Sequence, residues 1–525
     1  MTSLALSQPS RISSHVNRRW LTLLVLLGSS FCLLWQLDAK SLWIDELFTA
    51  EIVAQPTVQR IIAAVRATEG RPPLYYLLLH FWTRFAGTSD FALRFFSIAP
   101  AFLCLPLVYG LARRLSNRQI AWSTFLLFAF APLFLLYARM ARAYFMAVCW
   151  ALLTCYCFIR WLDRPESLWW GGYLLAGWGL LYTDYMTASI LLIPNLILVS
   201  FWRNSRYLWG RWAAIQVLLI LGFIPWLPSL LQHTARYQTP IRLADLTQGI
   251  SGYAVKLAQP VLVFSLGETL HPWNPIGGLG LLMISGLALL GLWQLWRQRQ
   301  LESWFIIFSV IIPVLFTVFI VTGFLVRYMT FAWIGARTLQ AFPFYVMLVA
   351  AGISALKSPT MRRLVLGFIA VVFLYANVND YTNRDFQNPV YVIPSKTIAA
   401  HIVTQIQPGD AIIASRDSIV ERYYRAYRMD YPILDSQMAD ELRTSIEQNQ
   451  YTRLWLVTVN RDRGGVEPDP NFMTWLQTQY VTTGHWGYAE VTPGYRRFKM
   501  LLTQREAYRY KAELTLYVRR QSALP

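Results

Sequence analysis

Long apolar runs separated by short polar segments fill the chain from residue 20 to residue 378. A helix that crosses a bilayer needs about 20 mostly apolar residues. By this measure we predict eleven spans, over residues 20–37, 92–112, 119–137, 142–161, 167–183, 187–202, 212–231, 276–296, 303–323, 338–356 and 363–378. The stretch Pro72–Phe85 is apolar but short, and it contains His80 and Arg84. We therefore expect it to lie along the membrane interface.

The distribution of basic residues supports this arrangement. If Pro72–Phe85 does not span, one set of loops holds the basic groups Arg11/Arg18/Arg19, Arg113/Arg114/Arg118, Arg160/Arg164, Arg203/Arg206/Arg211, Arg297/Arg299 and Lys357/Arg362/Arg363. Cytoplasmic loops carry an excess of Lys and Arg, so this set and the N-terminus are predicted to be cytoplasmic. The opposite face then receives residues 38–91, the Tyr137–Tyr144 turn, the 183–185 turn, the 232–275 loop, the 327–337 loop and everything after about Asn379.

The character of the chain changes after residue 379. In 380–525 the charge rises and the apolar runs shorten. Buried strands are predicted over Asp410–Ala414, Arg453–Val459 and Leu514–Val518, with a helix over Ser418–Tyr427. The sequence thus predicts a mainly α, polytopic membrane domain (1–379, with a first external loop over 38–91) and a small extracytoplasmic α/β domain (380–525).

Composition agrees with a membrane protein. Of 525 residues, 55% are hydrophobic and 14% are charged, whereas a soluble protein carries roughly 25% charged residues. We expect an integral, multi-pass protein of the plasma or inner membrane. The net charge of +19 is dispersed, so we predict no nucleic-acid binding. All five cysteines lie in apolar runs, and neither a disulfide framework nor a zinc site is predicted.

Asp45 and Glu46 form an acidic pair just past the first apolar run. Carboxylates are costly near hydrocarbon and usually serve a function there. The alternative is that both are solvated charges, or that they cap a helix over Leu47–Val53.

Arg71 precedes two prolines and an apolar stretch. Prolines suit the first turn of a helix, and a helix N-terminus beside a cation favours an anion. This pattern predicts a phosphate site, although an interfacial anchor at the lipid headgroups is the alternative. Tyr75 and His80 of the same stretch are further candidate substrate contacts.

Arginines also occur on the external face, against the positive-inside trend. Arg139 and Arg142 lie in the Tyr137–Tyr144 turn, and Arg337 begins the tenth predicted span. A bound anion or lipid headgroups would explain them. Asp184 follows the fifth span; it is a candidate for a sugar hydroxyl or an arginine partner, or it is simply solvated.

Several segments occur in an order that resembles the GT-C glycosyltransferases, in particular the protein O-mannosyltransferase-like family and the aminoarabinose transferases of lipid A modification. They are the acidic pair, RPPLYYLLLHFW (71–82), ARRL (112–115), APLFLLYARMARAYFMA (131–147), YTDY (182–185), IPWLPSL (224–230), ARTLQAFPFYVMLVAAG (336–352) and QPGDAIIAS (407–415). The resemblance is strongest over residues 38–185. It implies a membrane enzyme that takes a sugar from a polyprenyl-phosphate donor and transfers it to an acceptor hydroxyl on the external face.

The resemblance also implies roles for single residues. Asp45 matches the acidic position near the reacting centre, with Glu46 beside it. Arg71 stands where relatives carry Lys or His, a position associated with the donor phosphate. Arg142 and Tyr144 match the Arg and Tyr of the turn after the third span. Two departures are Met140, where relatives often have Glu, and Asp184, where they often have His.

These residues suggest a mechanism. Asp45 by preference, or Glu46 beside it, would accept the acceptor proton, while Arg71, Arg142 and Arg337 would bind the departing lipid phosphate. In-line displacement would invert the anomeric centre. No cofactor is required, although clustered carboxylates are compatible with a divalent metal. The expected partners are the lipid-linked donor, membrane lipids, and a lipid, glycan or protein acceptor.

Two readings compete with the enzyme. A lipid or glycolipid transporter or flippase would also place charges inside a helical bundle, but the candidates cluster on one face. A non-enzymatic assembly or receptor protein would use the C-terminal domain to bind a partner.

Overall fold

The computed structural model describes residues 12–69, 71–201, 208–237, 250–325, 334–415, 420–426, 431–436, 439–459, 469–490 and 511–520. Among the sequence predictions, Arg11, Arg203, Arg206, part of the 232–275 loop and most of the 327–337 loop lie outside these ranges.

Helices make up most of the described chain up to residue 381. The α-helices of this part are α1 (Ile12–Leu34), α2 (Ile44–Val53), α3 (Val58–Thr68), α4 (Leu74–Ala86), α5 (Asp90–Leu115), α6 (Arg118–Phe130), α7 (Pro132–Ala138), α8 (Tyr144–Asp163), α9 (Ser167–Leu181), α10 (Leu192–Ser200), α11 (Trp209–Phe223), α12 (Leu227–Tyr237), α13 (Ile250–Leu266), α14 (Pro275–Gln298), α15 (Leu301–Leu315), α16 (Ile334–Arg337), α17 (Phe342–Ala355) and α18 (Pro359–Tyr381). Short 3₁₀ turns cover Thr187–Leu191, Ile224–Trp226 and Leu339–Ala341, and a π-helix over Phe316–Leu325 continues α15.

Six of the described helical stretches are long and apolar enough to cross a membrane, and a seventh arises if α6 and α7, bent by 52°, form one span. Pro132 at the start of α7 accounts for the bend, since it cannot donate a backbone hydrogen bond. The chain is therefore a multi-pass membrane protein. The number of eleven spans stays a prediction, because several of the other predicted spans form shorter apolar helices.

Two predictions outside the long spans have different outcomes. The stretch after Pro72-Pro73 is α4, which has 13 residues and a length of about 20 Å, too short to cross about 30 Å of hydrocarbon. The prediction of a loop over 232–275 is wrong in part, because α13 lies within it. The sequence hid this helix because Lys256, Gln259 and Pro260 interrupt its apolar pattern.

The C-terminal region contains one mixed five-stranded sheet. Its strands are β1 (Asp410–Ala414), β2 (Ile433–Asp435), β3 (Arg453–Val459), β4 (Tyr480–Glu490) and β5 (Lys511–Arg519), in the order β2-β1-β3-β5-β4. β1 runs parallel to β2 and β3, while β5 is antiparallel to β3 and β4. The helices here are α19 (Ser395–Gln405), α20 (Val420–Ala426), α21 (Ala439–Asn449) and α22 (Pro470–Gln479), with a 3₁₀ turn over Pro389–Val392.

The three predicted strands are thus confirmed, and two more strands were missed. β2 has only three residues, and β4 is a largely exposed edge strand without a continuous apolar run. The predicted fold class, a helical membrane protein with a small α/β region, is confirmed.

Asp90 joins the C-terminal region to the membrane helices. Its carboxylate accepts a hydrogen bond from the Tyr423 hydroxyl (2.7 Å) and pairs with Lys396 (2.9 Å) and Arg422 (3.1 Å). The Leu42 amide donates to the same Tyr423 oxygen (2.6 Å). The C-terminal region therefore contacts the segment that leads directly into α2.

The α14–α17 pair packs with its backbones in contact. A Cβ added to Gly291 would lie 2.0 Å from the Leu348 carbonyl oxygen, and one added to Gly352 would lie 2.0 Å from the Leu287 oxygen. Small residues at such crossings let membrane helices approach closely.

We expect Gly291→Ala to lower the midpoint of thermal unfolding in detergent, because the methyl group must push two helix backbones apart. Overpacking of this kind costs about 1–3 kcal/mol. Gly286→Ala on the same helix is the matched control, since a Cβ there meets no atom within 4 Å. Equal midpoints for the two variants would contradict the close packing.

Candidate functional site

The site is built on a buried ion pair between Glu46 and Arg94. Arg94 Nε and Nη2 donate to the two carboxylate oxygens of Glu46 at 3.0 and 2.7 Å. The other donors of Arg94 bind the backbone oxygens of Leu37, Lys40 and Ser41 (2.8–3.0 Å). All five N–H groups of the guanidinium are used, and they fix the chain between α1 and α2 to α5.

Glu46 also reaches the turn between α7 and α8. Its oxygens accept the backbone N–H of Ala141 (2.7 Å) and that of Trp43, the residue before α2 (3.2 Å). Glu46 is fully buried. By accepting the Trp43 amide, Glu46 caps the start of α2, which is the helix-cap alternative considered in the sequence analysis. Its four hydrogen bonds leave it little freedom to react.

Asp45 has a different environment from its neighbour. Its side chain remains 28% exposed, and Oδ2 lies 3.6 Å from Arg142 Nη2, beyond a good hydrogen bond. Asp45 is thus held close to a positive charge without being locked by it.

Arg142 pairs mainly with Glu69. Its Nη1 and Nη2 atoms contact the two Glu69 oxygens at 2.7 and 3.1 Å. Nη1 also donates to the Asp45 backbone oxygen and to Thr49 Oγ1, both at 2.9 Å. Arg142 thereby connects the end of α3, helix α2 and the turn before α8.

In this group of buried charges the pKa values of Asp45 and Glu69 are shifted in opposite directions. Burial raises the pKa of Asp45, and Glu69 adds to the shift, while Arg142, Arg71 and Arg337 oppose it. Burial alone would raise the pKa of Glu69, but the charge and hydrogen bonds of Arg142, together with the Arg71 charge and a hydrogen bond from Tyr76, leave the pKa below its ordinary value. Glu69 is therefore the firm partner of Arg142, and Asp45 is the stronger base.

Arg71 is a buried cation whose guanidinium lacks hydrogen bonds. It is 3% exposed, and none of its three nitrogens has a hydrogen-bond partner among the described residues. Its guanidinium lies over the Tyr144 ring, 4.8 Å from the centroid. An unsatisfied buried donor costs about 1–3 kcal/mol, and more when charged, so this position calls for an anion.

The local chain explains why Arg71 lies here. Pro72 and Pro73 lead directly into α4, and the Leu74 amide at its start donates to the Tyr182 oxygen at the end of α9 (3.0 Å). This contact brings Arg71 within electrostatic range of Asp184. Asp184 is buried and accepts the Met186 amide (3.0 Å).

Arg337 is a further cation near this group. It ends α16, is partly exposed, and acts electrostatically on Asp45. Its Nε atom has no partner among the described residues. The structure therefore brings together Asp45, Arg71, Arg142 and Arg337, with Tyr144 and Asp184 against Arg71.

Tyr75 and His80 occupy packed positions beside this group. The Tyr75 hydroxyl pairs with Ser97 Oγ (2.8 Å), and His80 Nδ1 donates to the Val53 oxygen (2.8 Å). Both side chains are buried and hold α4 against α5 and α2. Their predicted contacts with substrate stay predictions. Arg139, the other arginine of the turn, pairs with Asp380 at 3.2 Å.

Sequence reasoning missed Glu69 and Glu268. Glu69 places a second acid beside Arg142, from a segment other than the turn that contains Met140. Its position two residues before Arg71 was the available signal. Glu268 follows α13, inside the segment predicted as a loop, and no motif marks it.

Within the described ranges, no three His, Cys, Asp or Glu side chains are grouped so as to hold a metal ion. Independence from a metal or other cofactor stays a prediction.

The comparisons with known proteins agree with this architecture. Residues 70–230 match the family described as dolichyl-phosphate-mannose-protein mannosyltransferase. The fold is similar to that of ArnT from Cupriavidus metallidurans in the apo state, with a TM-score of 0.56 and 14% identity over 95% of this chain and 98% of that chain. The chain has the GT-C fold.

Two further solved structures are similar to this chain. ArnT bound to undecaprenyl phosphate gives a TM-score of 0.54 and 15% identity over 94% of this chain and 97% of that chain. The archaeal oligosaccharyltransferase AglB from Archaeoglobus fulgidus, in complex with an inhibitory peptide and a dolichol-phosphate, gives 0.45 and 12% identity over 84% of this chain and 69% of that one. A comparison with curated proteins gives no match. The predicted resemblance to the GT-C glycosyltransferases is confirmed.

In this GT-C chain, Glu46→Gln is expected to destabilise the fold by about 3–5 kcal/mol, because it leaves Arg94 as a buried charge without its counter-ion. The measurement is thermal or denaturant unfolding of the detergent-solubilised protein. Glu447→Gln is the control, since its pair with Arg443 is about half exposed on both sides and contributes little. Wild-type stability of Glu46→Gln would show that the pair does not hold the site together.

Proposed function

We propose that the protein is a glycosyltransferase that moves a sugar from a polyprenyl-phosphate-linked donor to an acceptor hydroxyl. The observation that carries this proposal is Arg71, a buried cation whose three nitrogens have no hydrogen-bond partner in the described part of the chain, near the partly exposed Asp45. A buried charge without a partner is unfavourable, and a lipid phosphate would supply the missing acceptor. A bound undecaprenyl phosphate in the structurally similar ArnT supports the same class of ligand.

Asp45 is the proposed general base. It would take the proton of the acceptor hydroxyl while the acceptor oxygen bonds to the anomeric carbon and the bond from that carbon to the phosphate oxygen breaks. A raised pKa favours this role, because a base works best when its pKa approaches the working pH. Glu46 was predicted to share the role, but its hydrogen bonds support a positioning role instead.

The leaving phosphate is assigned to Arg71 and Arg337. Both carry guanidinium nitrogens without partners in the described chain, and charge-assisted contacts to phosphate oxygens are strong. Arg142 holds Asp45 and Glu69 in place, since most of its donors already have acceptors. Attack from the face opposite the phosphate would invert the anomeric centre.

The proposed orientation follows the basic loops, with the N-terminus in the cytoplasm and transfer on the extracytoplasmic face of the plasma or inner membrane. The C-terminal region contacts the segment that leads into α2, which supports a role in acceptor choice. The acceptor is a lipid, a glycan or a protein. Transport without transfer, the alternative from the sequence, is untested.

Asp45→Asn is expected to reduce transfer by about 10²–10⁴-fold, the usual range for loss of a general base. The product is first defined by mass spectrometry of cell-envelope glycolipids, glycans and glycoproteins from cells with and without the protein. Each variant is then tested for restoring that product. Asp38→Asn is the matched control, an exposed acid in the same external segment. Wild-type product levels with Asp45→Asn would exclude Asp45 as the base.

Arg71→Ala is expected to weaken the binding of undecaprenyl phosphate to the purified protein by about 10-fold or more, because it removes a charge-assisted contact. Arg71→Lys should retain part of the affinity, since it keeps the charge but loses the fork of donors. Arg84→Ala, at an exposed arginine of α4, serves as the control. Unchanged affinity in Arg71→Ala would remove Arg71 from the phosphate site.

A further inference from the structure

Glu268 is a buried acid that the proposed mechanism does not use. It follows Gly267, whose positive φ of 74° turns the chain at the end of α13. The side chain is 1% exposed, and the Tyr137 hydroxyl donates to its Oε1 atom at 2.5 Å. The other oxygen, Oε2, has no hydrogen-bond partner among the described residues.

Two other buried acids of this region, Glu46 and Glu69, are each held by an arginine. Both oxygens of Glu46 bind Arg94, and both oxygens of Glu69 bind Arg142. Glu268 has no ion pair in the described chain, and burial raises its pKa to about 7. Burying Oε2 without a hydrogen bond costs about 1–3 kcal/mol. This oxygen therefore calls for a hydrogen-bond donor from a bound molecule.

A chain of aromatic rings links Glu268 to Arg71. The Tyr137 ring packs edge-on against the Tyr144 ring, with 4.9 Å between centroids, and Tyr144 in turn carries the Arg71 guanidinium. Glu268 thus contacts Tyr137, the ring that packs against the Tyr144 ring under Arg71.

Two further contacts connect the surroundings of Glu268 to the segments that carry Asp45 and Arg337. The Tyr391 hydroxyl lies 3.4 Å from that of Tyr137, and its ring packs against Trp43, the residue before α2. Glu268 Oε1 also lies beside Gly335, two residues before Arg337, since a Cβ at Gly335 would be 3.2 Å from it.

The two unsatisfied groups have complementary requirements. Within the described residues, Arg71 lacks a hydrogen-bond acceptor, and Glu268 Oε2 lacks a hydrogen-bond donor. A sugar phosphate carries both kinds of group on one molecule. We propose that Glu268 Oε2 accepts a hydrogen bond from a hydroxyl of the sugar being transferred, while Arg71 binds the phosphate of the same donor.

This inference rests on the proposed function and adds a determinant of sugar specificity. A buried group that must be paired rejects an analogue lacking the matching hydroxyl, because the analogue leaves that group unsatisfied. Glu268 would therefore select donors by the position of one hydroxyl, and Arg71 would bind any polyprenyl phosphate.

The test compares the binding of undecaprenyl phosphate with that of undecaprenyl phosphates carrying mannose, glucose, galactose or N-acetylglucosamine to purified full-length protein. Glu268→Gln keeps the shape of the side chain but can place an amide donor where Oε2 was. We expect the preferred sugar-linked lipid to bind this variant about 10-fold more weakly. Binding of undecaprenyl phosphate itself should change less than about two-fold.

Thr269→Val is the matched control for damage to the loop, because Thr269 Oγ1 donates only to the Ala376 backbone oxygen in the described chain. It should leave the preference among the lipids unchanged. A deoxy analogue of the preferred donor that lacks the recognised hydroxyl should bind wild type and Glu268→Gln equally, as expected for a pair of coupled groups.

The proposal is overturned if wild type prefers no sugar-linked lipid over undecaprenyl phosphate, or if Glu268→Gln binds every lipid as wild type does. Equal weakening for the bare and the sugar-linked lipids would also overturn it, since Glu268 would then act through the fold. Failure of the donor proposal has a separate signature, namely unchanged binding of undecaprenyl phosphate by Arg71→Ala.

Discussion

The pairing of Glu46 with Arg94 is the constraint on which the site depends. One guanidinium with no free donor fixes the segment between α1 and α2 to α5, and the carboxylate it holds reaches the turn before α8. Three parts of the chain, distant in sequence, meet at a single buried charge pair. Such a pair contributes little net stability, but once formed it fixes the relative position of Asp45 and Arg142.

The acids of the site divide their roles according to their partners. Glu46 and Glu69 are each held by an arginine, whereas Asp45 keeps an accessible carboxylate and a raised pKa. The Glu268 side chain accepts a hydrogen bond from Tyr137 and has no ion pair among the described residues. Four carboxyl groups of similar intrinsic chemistry thus serve anchoring, charge compensation, proton transfer and, in our proposal, sugar recognition. These roles differ because the carboxyl groups differ in how deeply they are buried and in which cation lies nearest, not because the residue types differ.

Local sequence patterns predict part of the fold and part of the candidate site. The long spans follow from apolar length, the start of α4 from Pro72-Pro73, and β1 and β3 from short apolar runs. Asp45 is predicted because carboxylates are costly near hydrocarbon, and Arg71 because it precedes a proline-led helix. Arg142 and Arg337 are predicted because they run against the positive-inside trend. What could not be predicted depends on tertiary contacts. Glu46 looked equivalent to Asp45 until Arg94 distinguished them, and Glu268 lies in a segment whose pattern suggested a loop.

The contact of Tyr423 with both Asp90 and the Leu42 amide has a consequence for how the molecule folds. Two regions that differ in composition, one rich in long apolar helices and one built on a small sheet, share a buried carboxylate and its counter-ions. Asp90 acquires its Lys396 and Arg422 partners only when the C-terminal region docks. The two regions differ in architecture, but the folding free energy of each depends on its contacts with the other. The geometry at the start of α2 is completed by residues that lie more than 300 positions later in the chain.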